Sequence, residues 1–397
     1  MKGNGFKETE IGLIPEDWEV VRIVDHCDFI RGTEPGSKSY NRVGNGVPFI
    51  RVGNISAKIQ ELVYTTSSNI RLCNEDDILI SLDGSPGVVV RGIKGAYASG
   101  IRKVVIKTNQ VEKGFIYYIL QSPYVQRTIQ KYTTGVTIKH ASKSLPHIKI
   151  PLPPLSEQQK IAKVLDKIQQ AIELQDRIIE LLKNLKKSLM QKLFTEGLYG
   201  EEQKETEIGL IPKSWEVVRL GEIVEIFDKY RIPLSEEIRK KQKKIYPYCG
   251  ANGIIDYVEN YIFEGEYLLF AEDGGHWGKF ENSAYIMTGR FWVNNHAHVL
   301  KAKNTTTNYF LVNILNYLDL TSYITGDARG KINQGVLKTI KIPLPPLEEQ
   351  KQIAHILSTV DKKIEVEQRR KEVLKDLFKT MLHKLMSGEI RLKEVEI

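Results

Sequence analysis

The sequence repeats itself once, and that repeat constrains the fold more than any other feature. The segment KETEIGLIPEDWEVVRI, Lys7 to Ile23, recurs as KETEIGLIPKSWEVVRL, Lys204 to Leu220. IPLPPLSEQQKIAKVLDKI begins at Ile150, and IPLPPLEEQKQIAHILSTV begins at Ile342. The chain of 397 residues is therefore two copies of one plan: an opening motif, a variable stretch, a proline hinge and a long helix. A solenoid is excluded, because its units run roughly 20–50 residues and this period is near 195. The stretches between the motifs, residues 24–149 and 221–341, barely resemble each other. This is a duplicated frame with diverged contents. It divides into a first globular domain (1–154), a first spacer helix (155–200), a second globular domain (201–346) and a second spacer helix (347–397).

Pro151, Pro153 and Pro154 in the first copy, and Pro343, Pro345 and Pro346 in the second, lack amide donors and bias the chain to an extended form. A helix begins only after them. Ser156 followed by Gln159 fits a capping box, and Glu348 replaces the serine in the second copy. Beyond each hinge, apolar residues recur at alternating spacings of three and four. In the first copy they are Ile161, Leu165, Ile168, Ile172, Ile179, Leu182, Leu189 and Leu193, interrupted by Gln175 and Lys186. In the second they are Ile353, Leu357, Val360, Ile364, Leu374, Phe378, Met381 and Leu385, interrupted by Glu367 and Lys371. Seams this long read as coiled-coil helices. About 40 residues make a rod of roughly 60 Å that cannot bury its own stripe, and the nearest partner is the other rod. The expected class is α+β: two mixed α/β domains, an antiparallel pair of long helices and an internal pseudo-two-fold repeat.

Within the variable stretches, Asp77–Leu82, Val104–Lys107, Tyr267–Ala271 and Ala297–Leu300 read as strands, and Phe115–Gln121 and Tyr309–Tyr317 as helices. In each half an apolar strand runs into a glycine turn, 83–87 or 272–275, and a polar loop precedes the hinge, 133–137 or 325–330. Glycine turns bring backbone close to a partner, and short polar side chains there reach phosphates or base edges. The candidate contacts in the first half are Arg31, Lys38, Tyr40, Arg42, Ser81, Asp83, Ser85, Thr137, Lys139 and His140. In the second half they are Arg231, Lys243, Lys244, Tyr246, Asn252, Asp273, His276, Arg290, Arg329, Lys331, Asn333 and Gln334. Arg and Lys pair well with guanine, Asn and Gln with adenine. Each of these residues alone reads first as ordinary solvated surface and only second as a base contact.

Charge does not decide the matter. The net charge of +8 permits nucleic-acid binding, yet residues 1–154 carry about +6 (20 Lys and Arg against 14 Asp and Glu) and residues 201–346 about −1 (18 against 19). Any phosphate-facing surface of the second half must come from clustering such as Arg239–Lys244. Cys27, Cys73 and Cys249 lie too far apart for a zinc motif and read as free thiols of a reducing cytoplasm. No apolar run spans a membrane, and the polar stretch Met1–Glu10 is no signal peptide. His296 and His298, read as one face of a strand, lack a third ligand, so no metal is expected. Phosphate loops, dinucleotide fingerprints, the proline-aromatic motif of amino-methyltransferases, GxSxG and HExxH are all missing. Two other classes stay open at this point: an enzyme acting directly on DNA, and a coiled-coil scaffold without DNA contact.

The segments GLIPEDWEVVRI, IPLPPLSEQQKIAKVLD, YCGANGIIDY, GRFWVNNHAHVLK and KINQGVLKTIKIPLPPLEEQ resemble the specificity subunits of type I restriction-modification enzymes. The resemblance covers nearly the whole chain, and the doubled IPLPPLxEQ hinge is its most specific element. It implies two target-recognition domains that each read one half of a bipartite, asymmetric site on double-stranded DNA. The helices between them set the spacer and dock two methyltransferase subunits. Nuclease-translocase subunits join for restriction. It implies no catalysis and no cofactor on this chain, with S-adenosylmethionine, ATP and magnesium held by the partners, and a cytoplasmic, membrane-free complex.

Overall fold

The computed structural model describes residues 5–326 and 330–393. Its contacts divide the chain into two units, residues 1–174 with 370–397 and residues 175–369. Each unit combines one globular part with a stretch of both long helices.

In the first unit the opening motif forms a hairpin, Phe6–Thr9 against Gly12–Pro15, and then the strand Glu19–Arg22. That strand pairs antiparallel with the hinge strand Lys149–Leu152. The two ends of the variable stretch are thus hydrogen-bonded together, and Pro151 sits in a two-stranded ribbon that tolerates a missing donor. Between them lies a four-stranded sheet in the order Val89–Val90, Ile78–Ser81, Ile101–Ile106, Cys27–Arg31. A separate five-stranded sheet includes Val47–Ile50 beside Gly95–Tyr97 in parallel. Helices Lys113–Ile119 and Pro123–Lys131 cover the core.

The second unit repeats the frame: hairpin Gln203–Thr206 with Gly209–Pro212, and strand Glu216–Arg219 with hinge strand Lys341–Leu344. Its variable part differs. One six-stranded sheet replaces the two, because the long strand Ala284–Val293 pairs with Phe263–Ala271 along most of its length and with Tyr246–Gly250 at its end. Helix Asn308–Tyr317 packs into this core, capped by Thr307, whose hydroxyl accepts from the Phe310 amide. All the strands and helices expected within the variable stretches are present, with ends shifted by a few residues; the spacer helices expected over 155–200 and 347–397 end earlier, at Glu196 and Met386, and 394–397 lie outside the described residues. Cys27, Cys73 and Cys249 are buried free thiols, and burial pushes Cys27 and Cys249 up to about 12.

The long helices run Leu155–Glu196 and Leu347–Met386. The first starts at Leu155, so Ser156 lies inside its first turn and is not the N-cap that the capping box requires. Pro154 supplies the terminus instead, its carbonyl accepting from the amides of Glu157 and Gln158 at 2.9 and 3.0 Å. The repeated Glu-Gln pair after the prolines now has a physical reason. Trp18 of the opening motif donates its indole N–H to Glu157 at 3.2 Å, and Trp215 donates to Glu349 at 3.0 Å. Gln158 donates to the carbonyls of Pro153 and Gln110, and Gln350 to those of Pro345 and Thr305. Both tryptophans are fully buried.

Every residue of the two expected seams is buried or half-buried. In the first unit Ile161 and Leu165 share a core with Leu382 and Leu385; in the second, Leu193 shares one with Ile353 and Leu357. In each case the start of one helix meets the end of the other, which makes the pairing antiparallel. The interruption at Gln175 is matched by the one at Glu367. Both are buried, at 4% and 2% exposure, and the amide donates to the carboxylate at 2.6 Å. Each lies 25 residues beyond its hinge isoleucine, Ile150 or Ile342, so equivalent positions of the repeat meet each other. Lys186 finds Asp361 at 2.7 Å.

A buried amide–carboxylate pair costs most when only half of it is removed. Gln175→Leu should lower stability by about 2 kcal/mol because Glu367 loses its buried donor. The double variant with Glu367→Leu should regain most of that loss, read by urea or thermal unfolding.

Candidate nucleic-acid interface

The strand registers align the two units residue by residue. Ile80 pairs with Arg102 in the first, and Phe270 with His298 in the second. Two residues past each of these strands stands an aspartate, Asp83 or Asp273. Each makes an isolated bridge to a later residue, His140 or Lys331, and each of those bridges in turn to a threonine, Thr134 or Thr325.

In the first unit, Ser81 closes the turn from beneath. Its buried hydroxyl donates to the Ser85 carbonyl and accepts from the Val88 amide at 3.1 Å. Gly84 and Gly87 take φ of +77° and +93°, which other residues rarely adopt. The Gly84 amide donates to the Lys139 carbonyl at 2.8 Å, and Ala141 donates to Leu82 at 2.7 Å. Turn and loop are thereby one body. Asp83 holds His140 at 2.8 Å and Arg102 at 3.4 Å. Arg102 is 6% exposed and also donates to Ser142 Oγ and the Ser99 carbonyl. Arg31 donates to that same carbonyl from the surface. Lys58 reaches Ser85 Oγ at 3.1 Å.

The second unit builds the same fusion from different chemistry. Gly274 donates to Gly330 at 3.4 Å and Ile332 to Glu272 at 2.8 Å. His298, fully buried, faces Asp228 at 2.6 Å and the Ile332 carbonyl at 2.8 Å. Arg231 and Lys331 both pair with Glu272, at 2.6 and 2.9 Å. Burial pushes both carboxyls up. The bond and charge of His298, the Val299 amide and the charge of Arg231 together outweigh it at Asp228, and the bonds from Arg231 and Lys331 with the nearby charges of His298 and Arg231 together outweigh it at Glu272, so both lie below their ordinary range. Asp228, Glu272 and His298 could together reach one cation. Arg231 and Lys331 already neutralise the two acids, so the group reads as an ion-pair core beneath the loop. His296 precedes the strand Ala297–Ala302, so the two histidines do not share a strand face as expected; it bonds Asp273 at 2.7 Å.

The sequence candidates therefore separate. Ser81, Asp83, Ser85, Lys139, His140 and Arg31 gather at the first turn–loop body, with Thr137 exposed on the loop. Asp273, Lys331, Arg231, Gln334 and Asn252 gather at the second; Gln334 donates to Asp228 and Asn252 to the Gly274 carbonyl. Asn333 caps helix Gln334–Thr339, and His276 is exposed beside the turn. Lys38, Tyr40 and Arg42 lie apart. Tyr40 stacks on Phe49 and donates to Glu34, Arg42 pairs with Glu61, and Lys38 is exposed. Lys244, Tyr246 and Arg290 sit among Asp256, Tyr261 and Glu264, with Lys243 exposed nearby in sequence. Arg329 lies outside the described residues. Lys58, Arg102 and Glu272 were not among the sequence candidates.

The seam pattern also missed a second apolar stripe. Leu174, Leu181 and Leu185 on the first long helix are 59, 67 and 48% exposed, and Val366, Val373 and Leu377 on the second are 55, 68 and 43% exposed. Each pair is offset by 192 residues, as are Ile150 and Ile342. Leu181 and Leu185 in the second unit are thus matched by Val373 and Leu377 at equivalent exposed positions in the first.

The family model described as the type I restriction modification DNA specificity domain matches residues 15–184 and 212–376. The MjaVIII specificity subunit of a type I restriction enzyme from Methanocaldococcus jannaschii is 31% identical over 421 residues, covering 99% of this chain and 98% of that one. The putative MjaX specificity subunit of the same organism is 29% identical over 425 residues, with the same coverage. The crystal structure of a type I restriction-modification S subunit from M. genitalium shares the fold. Its TM-score is 0.62 at 18% identity, over 97% of this chain and 98% of that one. The chain belongs to the type I restriction-modification DNA specificity family.

Removing Asp83 should free the first turn–loop body and leave the second intact. In Asp83→Ala, the Gly84 and His140 amides should exchange about ten-fold faster, with Lys331 and Ile332 unchanged. Asp228 and Glu272 titrate lower folded than free, so their stabilisation is present at neutral pH and disappears as pH falls through the lowered values. Glu272→Gln should accordingly flatten the acid limb of a stability–pH curve.

Proposed function

We propose that the chain is the DNA sequence-specificity subunit of a type I restriction-modification complex. Residues 1–154 and 201–346 each read one half of a bipartite, asymmetric target, and the helices Leu155–Glu196 and Leu347–Met386 set the spacer. The observation that carries this reading is the pair of pinned turn–loop bodies at equivalent positions of a duplicated frame, built from different side chains. Equivalent placement suits two readers of one duplex, and different chemistry suits two different half-sites. Exposed cations such as Lys58 and Lys139 serve the phosphates, which makes binding salt-dependent. Donors and acceptors on the loops serve base edges in the major groove.

The subunit catalyses nothing by itself. Methyl transfer, with its S-adenosylmethionine, belongs to two methyltransferase subunits, and ATP and magnesium belong to the nuclease-translocase subunits that complete the cytoplasmic assembly. Leu181 and Leu185 in the second unit and their copies Val373 and Leu377 in the first give two like partners two like seats. Among the described residues no helix is long and apolar enough to cross a membrane.

Grafting residues 24–149 from a relative should change one half-site of the methylated sequence and leave the other intact, read by mapping methylation in cells. A simultaneous change in both halves would refute independent readers. Leu181→Asp with Val373→Asp should reduce co-purification of the methyltransferase at least ten-fold while the unfolding curve stays put, since both side chains are exposed.

A further inference from the structure

The loop 134–140 of the first unit carries an apolar apex that the fold does not use. Its base is locked: Thr134 and His140 exchange backbone hydrogen bonds of 2.9 and 2.7 Å, and the Lys139 carbonyl accepts from Gly84. Gly135 turns the chain at φ +96°, and a Cβ there would stand 2.1 Å from the Ile138 carbonyl. Above that base come three β-branched residues in a row, Val136, Thr137 and Ile138. Val136 is 101% exposed and Ile138 57%. β-Branching restricts χ1, so the apex is a stiff ridge of methyl groups held on a fixed stalk. Lone exposed aliphatics need no explanation, but these flank a polar site bearing Lys58, Lys139 and His140. The corresponding stretch of the second half reads Asp327-Ala328-Arg329 in sequence, so the run of β-branched residues at this position belongs to the first half's sequence alone.

The Val136 and Ile138 side chains gain nothing from phosphate and, unlike the Thr137 hydroxyl between them, offer base edges no hydrogen bond. The one apolar feature of a base pair in the major groove is the 5-methyl group of thymine. We propose that Val136 and Ile138 read a thymine methyl, so that the half-site taken by the first unit contains at least one A·T pair. This rests on the recognition role argued above.

The test uses the complex assembled with its methyltransferase partners and duplexes carrying its mapped site. Each thymine of the first unit's half-site is replaced in turn by deoxyuridine, which removes only the methyl group. Binding should weaken roughly four-fold at one or two positions, the fold-change equivalent of burying one methyl group. With Val136→Ser and Ile138→Ser together, the thymine-to-uracil ratio should fall to about one, while assembly and the other half-site stay unchanged. Uracil insensitivity at every position, a ratio that survives the substitutions, or a half-site of G·C pairs alone would each overturn the proposal. So would a variant that loses its partner subunits instead, because the apex would then dock protein. A complex with no sequence preference would overturn the recognition role itself, and the apex reading with it.

Discussion

The structure depends on one buried bond made twice, from the indole of the opening motif to the first-turn glutamate of the long helix. Trp18 to Glu157 and Trp215 to Glu349 fix where each helix leaves its globular part. A carboxylate taken out of water must be fully satisfied. Glu157 meets that demand with Trp18, the Leu392 amide and both bonds of Arg391, and Glu349 with Trp215 and the Leu198 amide. The next residue, Gln158 or Gln350, ties the hinge to the loop before it. A frame secured in this way leaves the variable stretches free to diverge, because their sheets need only end at the same two strands.

The two units show how far that freedom goes. Where the first splits its strands into two sheets, the second threads one long strand through both positions. Where the first buries an arginine beneath its turn, the second buries a histidine between two acids. The backbone connection between turn and loop is nevertheless the same, down to the amide of Ala141 or Ile332 on the carbonyl of Leu82 or Glu272.

Much of this was legible in the sequence, for identifiable reasons. The seam residues could be read because burial on a helix follows its period. The turn strands could be read because each ends in glycine. Gln175 and Glu367 looked like flaws in the pattern, and only their equal distance from the hinge hints that they meet. Arg231 looked like a surface cation; besides the neighbouring Asp228, its partners Glu272 and the Ala297 carbonyl are 41 and 66 residues away, and nothing local announces those two. Arg102 was hidden for the opposite reason, since a charge within IRKVVI reads as the solvent face of a strand. Leu174, Leu181 and Leu185 repeat as regularly as the seam, and a periodicity argument has no means to tell a covered stripe from an open one.

The first unit is assembled from two separate stretches, residues 1–174 and 370–397. Arg391 joins Asp17 and Glu157, Lys393 joins Asp17, and Leu385 and Met386 lie in the same core as Trp18. The second unit is one continuous stretch, residues 175–369. A chain made from its N-terminus therefore completes the later unit before the earlier one. During synthesis the first half waits, its tryptophan site short of an arginine and its core short of one wall, until the last helix emerges. Order of birth and order of completion are reversed, and a chain cut short before that helix would display an unfinished apolar surface to whatever surveys nascent protein.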